Sequence, residues 1–329
     1  MNFGEIFEKS WKIVWKYKIL WIFGIFAAML SGGGSGSSGA GNRGGVNYTY
    51  QGGELQEMFP WIGRFGYNIE RFFSNVDVGA RVGIAVALAC FALFWLVLSI
   101  FLGNVGRAAL IKGVLHAEED SNAKLKFGPL FKEGLGYFWQ MFVLQLLTIG
   151  IVIGVVIIGI VFSVVTLGIG AILLICLAIP IAVSASLLLT QTNIFIVAEN
   201  MNVIDAIKAS WEFVFERNLG YYLLMFLIVG VGSWIIGFVL AIPVFMVLVP
   251  IGLGIFLSNS APLGAGLLIV LGIFFALYIP IAILVNGILT AFVQAVWTLT
   301  YRELSFKLTD EDLTPLELQD SIPDDGEMV

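Results

Sequence analysis

The chain offers few side chains able to do chemistry. General acid-base catalysis, metal hydrolysis and nucleophilic attack all need titratable groups converging in a shielded pocket. His116 is the single histidine, and Glu118, Glu119 and Asp120 beside it are consecutive carboxylates. One imidazole next to three adjacent acids has poor ligand geometry, so the segment reads as a solvated polar loop. Proton or ion coupling leaves a carboxylate or histidine within a span, yet residues 137–198 and 218–301 contain no Asp, Glu, Lys or Arg at all. No catalytic residue, no cofactor and no metal site is therefore expected, and an enzyme ranks third among the function classes.

Uncharged polar residues at helical spacing are what remains. Asn286, Thr290, Gln294 and Thr298 form one stripe, Ser186, Thr190 and Asn193 a second, and Asn104, Arg107 and Lys112 a third. In the plainer reading these are interhelical hydrogen-bonding groups, worth ~0.6 kcal/mol each. In the functional reading they line a polar cavity open to the cytoplasm, where Arg107 and Lys112 meet an anionic lipid headgroup or a small solute. Pro180, Pro243 and Pro280 admit packing kinks or binding-site breaks, and Gly150 and Gly154 form a GxxxG contact within the bundle or in a dimer. Cys90 and Cys176 lie far apart in apolar runs and read as buried small hydrophobes.

Such stripes need long apolar helices to carry them. Hydrophobic residues make up 59% of the 329 and charged ones 12%, with a mean hydropathy of +0.96, a balance outside that of soluble domains. The expected fold is all-α and integral to the membrane, with about six spans near 17–30, 82–106, 137–166, 168–197, 219–249 and 263–301. Residues 19–30 follow four lysines and match a signal-peptide core in length. A retained span from Trp11 to Leu30, its lysines snorkelling, is the preferred reading. Thirteen of the 17 basic residues fall on the side of the termini, and the other four lie in the first loop. The positive-inside rule then places both termini in the cytoplasm and the protein in the plasma membrane.

Residues 1–303 form the transmembrane domain, within which 31–81 is an extracytoplasmic loop. That loop opens as a Gly/Ser tether and continues from Pro60 as an amphipathic interfacial helix. Nine acidic residues crowd the segment 303–329, so 304–329 is expected to be a disordered cytoplasmic tail.

An internal repeat organises the spans. Asn2 to Trp11 aligns without a gap to Asn202 to Trp211, each starting like a capping box and each running into a span. In the second copy Val203, Ile207, Trp211 and Val214 share one face, opposite Asp205, Lys208, Glu212 and Glu216. A weaker third copy aligns Phe131 with Phe7 and Trp139 with Trp15, and Ile179-Pro180-Ile181-Ala182 returns as Ile279-Pro280-Ile281-Ala282. The unit is an interfacial amphipathic helix plus two spanning helices, used three times, with Trp11, Trp139 and Trp211 as the interfacial anchors.

At Glu199 to Asn218, the pattern of Ala206, Ile207, Lys208, Ser210, Trp211 and Asn218 resembles that of a group of uncharacterised prokaryotic membrane proteins. It is also similar to the membrane domain attached to some glycerophosphodiester phosphodiesterases. Those enzymes carry a separate catalytic barrel with paired histidines and metal-binding carboxylates, for which these residues hold no counterpart. The resemblance thus implies the membrane fold alone. The expected role is non-enzymatic, organising lipid or a protein partner at the inner leaflet, and the runner-up is a transporter or channel-like protein. Expected partners are membrane lipids, a second copy or another membrane protein, and no nucleic acid.

Overall fold

The computed structural model describes residues 3–30, 78–120, 124–166, 169–257 and 265–320, and among them every regular element is helical. The helices are α1 (Phe3–Lys16), α2 (Ile19–Leu30), α3 (Val78–Glu119), α4 (Phe127–Gly136), α5 (Phe138–Val165), α6 (Ile169–Ala198), α7 (Val203–Trp211), α8 (Leu219–Leu257) and α9 (Ala265–Asp320). A π-helical turn, Glu212–Arg217, prolongs α7. Within α3, α5, α6, α8 and α9 lie five stretches long and apolar enough to cross a membrane, or six spans if the bent pair α1 and α2 is one. The chain is an all-α, multi-pass integral membrane protein. The Gly/Ser tether and the stretch from Pro60 fall in residues 31–77, outside those described, as do residues 321–329.

Two boundaries differ from expectation. Trp11 to Leu30 is not one rising helix, because α1 and α2 meet at 103° across Tyr17 and Lys18. The turn leaves Lys12 and Lys16 exposed, whereas a straight helix would carry them toward hydrocarbon. It is also hydrogen-bonded: the Leu20 amide donates to the Tyr17 carbonyl at 2.9 Å, and Trp21 Nε1 donates to the Val14 carbonyl at 2.9 Å. The second helix was expected to end at Gly106 but α3 continues to Glu119, placing Lys112 and His116 on a helix and not in a loop. Ala108, Ala109, Leu110, Leu115 and Ala117 supply strong helix formers there, and all five are buried. The acidic tail begins as a continuation of α9 as far as Asp320.

The described chain divides into two compact units. Unit 1 comprises Met1–Ala27, Leu102–Gly230 and Gly287–Val329. Helix α2 lies in its core, with Leu20, Phe23 and Ala27 each fully buried. Glycines let backbones touch it. A Cβ on Gly24 would strike the Gly287 carbonyl of α9, and one on Gly106 of α3 would lie 2.8 Å from Phe26 Cβ and 2.9 Å from the Ala27 nitrogen. Lipid solvates apolar side chains as well as protein does, so helices associate in a membrane through such close van der Waals approach.

The three amphipathic helices obey the same rule. At matched positions Ile6, Leu130 and Ala206 are buried, and so are Ser10, Gly134 and Ser210. A Cβ on Gly134 would lie 2.7 Å from the Val105 carbonyl, which fixes α4 across α3 at backbone contact. The face expected to pack on α7 was Val203, Ile207, Trp211 and Val214. The observed buried face is Ala206, Ser210, Phe213 and Val214, while Trp211 is 52% exposed. The packed face is thus rotated by about one residue, or ~100°, from the bulky apolar stripe to the small one. Asn202 is extended at the start of α7 but makes no capping bond through its side chain, so that half of the capping-box expectation fails. At the far end Asn218 Nδ2 donates to the Phe213 carbonyl at 3.0 Å and supports the π turn.

Unit 2 comprises Ala28–Phe101 and Val231–Asn286, where apolar side chains such as Leu93, Phe94, Trp234, Phe238 and Leu277 are mostly exposed. In a spanning protein this is the lipid-solvated surface. Cys90 belongs to it, exposed and not buried as expected. Pro243 cannot donate to the carbonyl four residues back, and the Tyr278 hydroxyl donates to the neighbouring Leu240 carbonyl at 2.5 Å. In unit 1, the expected GxxxG pair Gly150 and Gly154 faces open space within the chain.

Replacing Gly287 by Val should therefore sharply lower the yield of monodisperse protein in detergent, since the added methyls meet Ile25 of α2. Gly150→Val should leave that yield near wild type by size-exclusion chromatography.

Candidate functional site

Polar chemistry in unit 1 gathers around the last turns of α3 and the charged part of α9. Glu118 is the hub. Lys9 Nζ of α1 donates to its Oε1 at 3.1 Å, and Arg302 Nε of α9 lies 3.5 Å from its Oε2, an ion pair without hydrogen-bond geometry. Arg302 also donates from Nη1 to Glu119 at 3.0 Å. With Glu118 only 14% and Arg302 23% exposed, three helices are tied by a partly desolvated charge network. Out on α1, Lys12 hydrogen-bonds the exposed Glu8 and holds its carboxyl below the ordinary range.

An aromatic cluster supports this network from within. Phe195 of α6, Phe213 of the π turn and Tyr301 of α9 meet with ring centroids 5.0 to 5.5 Å apart, and Tyr222 of α8 stacks on Trp297 at 6.1 Å. The Tyr301 hydroxyl donates to Glu199 Oε1 at 2.6 Å and so fixes the start of the link to α7.

Two concavities open on this network. The first, about 370 Å3, is bounded by Lys112, His116, Glu119, Glu199, Tyr301 and Arg302. Its charges are mixed. Lys112 Nζ sits over the Tyr137 ring at 5.4 Å, and His116 Nδ1 lies 3.9 Å from Glu133. The second, about 680 Å3, runs between α1 and the end of α3, with Lys9, Lys12, Lys16, Trp11 and Trp15 on one wall and Ala117 and Glu118 on the other. Among the described residues no group of three His, Cys, Asp or Glu is placed to bind a metal ion.

The expected polar residues distribute as follows. Asn104 is buried, and its Nδ2 donates to Gln145 Oε1 at 2.9 Å, an interhelical bond between α3 and α5. Arg107 lies half-buried one turn further along α3, and Lys112 lines the first concavity. Ser186, Thr190 and Asn193 each donate to a carbonyl of their own helix at 2.8 Å, as Thr298 does at 2.9 Å. In unit 1 Thr290 and Gln294 are half-buried on α9, and Asn286 is half-buried in unit 2. Of the anchors, Trp11 is 51% exposed and touches Phe292 edge-on at 5.8 Å, while Trp139 on α5 is 68% exposed. Sequence reasoning missed Glu118, Glu199, Tyr301 and Arg302 as a cluster. Its one visible signal was charge placed at the ends of apolar runs.

Fold and site together define a polytopic helical membrane protein with amphipathic helices packed against one end of its spans. The chain belongs to DUF7544, a family of unknown function whose model matches residues 15–315. No curated protein and no solved structure matches it.

Removing the hub should destabilise the bundle. Glu118→Gln leaves Lys9 and Arg302 short of a counter-charge and, discounted for the exposure of Lys9, should cost about 1–2 kcal/mol. Glu8→Gln breaks only an exposed pair and should leave the melting temperature in nanodiscs unchanged.

Proposed function

We propose that this protein is a non-enzymatic organiser of lipid at the inner leaflet, with its amphipathic helices and both termini on the cytoplasmic side. The observation that carries the reading is the matched exposure of Trp11 and Trp211, at 51% and 52%, on helices whose opposite faces, centred on Ser10 and Ser210, are buried in unit 1. An indole left half outside the protein at the end of a span suits the headgroup layer, where one edge is apolar and the other wet. Each carries an aromatic neighbour one turn on, Trp15 at 5.4 Å and Phe215 at 4.5 Å, so the pair presents a continuous apolar edge. Locally, the stripe of Lys9, Lys12 and Lys16 on α1 supports attraction of anionic lipid. The likeness of 199–218 to the membrane domain of some glycerophosphodiester phosphodiesterases agrees with a lipid-proximal role and brings no catalytic function with it.

A second reading, a transporter or channel-like protein, is favoured by one observation. Gln191 is fully buried in α6 with neither amide atom partnered among the described residues, and Gln294 Nε2 is likewise unpartnered. Unmet polar groups at membrane depth are costly and often functional.

Native mass spectrometry of protein released from nanodiscs of mixed phosphatidylglycerol and phosphatidylcholine separates the readings. The lipid reading predicts co-purifying phosphatidylglycerol enriched above its bulk fraction. Retained lipid at the bulk ratio, with solute flux in proteoliposomes, would favour the second.

A further inference from the structure

The second concavity combines two chemistries that seldom share a wall. Lys9, Lys12 and Lys16 recur at three- and four-residue spacing and form one stripe of α1, while Trp11 and Trp15 form the adjacent stripe. Opposite them stands the end of α3, where Glu118 accepts from Lys9 at 3.1 Å. Lys12 is paired with Glu8, but both are largely exposed, and such pairs are weak and exchange readily. Lys16 Nζ lies 5.5 Å above the Tyr17 ring, at the mouth of the groove. Taking α2 to stand along the bilayer normal, the 103° bend lays α1 nearly along the membrane plane. Its lysines then stand at phosphate level and its tryptophans at the glycerol level just below.

We propose that this groove binds one anionic phospholipid, its phosphodiester held by Lys12 and Lys16 and its glycerol and upper acyl chains lying against Trp11 and Trp15. The inference rests on the lipid-organising reading and narrows it to a headgroup class and a place. A cationic stripe beside an apolar one matches an amphiphile with a negative head, and a volume near 680 Å3 accommodates a headgroup with the start of its chains. The smaller concavity, with carboxylates and cations mixed, lacks that polarity.

The test is a titration of the full-length protein in mild detergent with phosphatidylglycerol or phosphatidylcholine, read by native mass spectrometry. Wild type should show one phosphatidylglycerol site that phosphatidylcholine fills poorly. K12Q/K16Q should weaken that site about tenfold or more, on the usual contribution of lysines near an anionic headgroup, and K12R/K16R should restore it. W11A/W15A should weaken both lipids alike, and K208Q should weaken neither. If K12Q/K16Q binds phosphatidylglycerol as wild type does, the groove is not the site, although the lipid reading survives. If wild type itself shows no preference for the anionic lipid, that reading falls as well. Displacement of the lipid by millimolar inorganic phosphate would identify a free anion as the occupant and overturn the assignment.

Discussion

Close backbone approach at small residues is the constraint on which the rest of this structure depends. Between helices in lipid there is no hydrophobic force to exploit, so contact must be won by shape. Gly24, Gly106 and Gly287 bring α2 against α3 and α9. The 12 described residues of α2 cover about 18 Å, and burial in unit 1 secures the helix. Gly134 does the same for α4, and the fully buried Ser10 and Ser210 occupy the matching positions of α1 and α7.

Where a small residue such as Ser10 or Ser210 takes the packed position, the tryptophan beside it faces out. This ordering inverts the rule for soluble proteins and accounts for exposed Trp11, Trp139 and Trp211 beside buried alanine, glycine and serine. It also explains the hydroxyls. Ser210, Thr192, Thr298 and Thr300 each donate to the carbonyl four residues back, which satisfies them within their own helix and leaves a compact surface for packing. Not every larger polar group folds back as Asn193 does. Asn104 reaches across to Gln145 instead, and Glu118 joins Lys9 and Arg302 where the helices leave the apolar layer.

Much of the architecture was legible because hydropathy and period are strong signals. The spans in α3, α5, α6, α8 and α9 stand out as uncharged runs, and the amphipathic pattern of α7 is plain in Asp205, Lys208, Glu212 and Glu216. From Phe3 on, the alignment with Val203 to Trp211 pairs positions of like burial except Lys9 with Ala209, and the match runs on to Val14 and Val214 at 0%. Less legible was everything decided by contact. Three crossing glycines do not announce themselves among 38, and a large apolar side chain looks like core until the solvent is known to be lipid. The packed face of α7 was misplaced for that reason, and the bend at Tyr17 for another: snorkelling and turning both solve the problem of Lys12 and Lys16, and periodicity does not choose between them. Of the ten polar residues singled out as a cavity, Ser186, Thr190, Asn193 and Thr298 bond within their own helices, while the network around Glu118 arises from residues up to 183 positions apart in sequence.

The proposed lipid role follows from this packing, which leaves Trp11, Trp211, Lys12 and Lys16 exposed outside the protein. The packing itself is tested most directly by thermal melting, in lipid nanodiscs, of two neighbouring substitutions on α7. Ser210→Leu intrudes on the packed face, whereas Trp211→Ala removes a side chain that is half outside the protein. The account predicts a large drop in melting temperature for Ser210→Leu and a small one for Trp211→Ala. The opposite order would contradict it, because the indole would then be the packed group and the small-residue face the one turned to lipid.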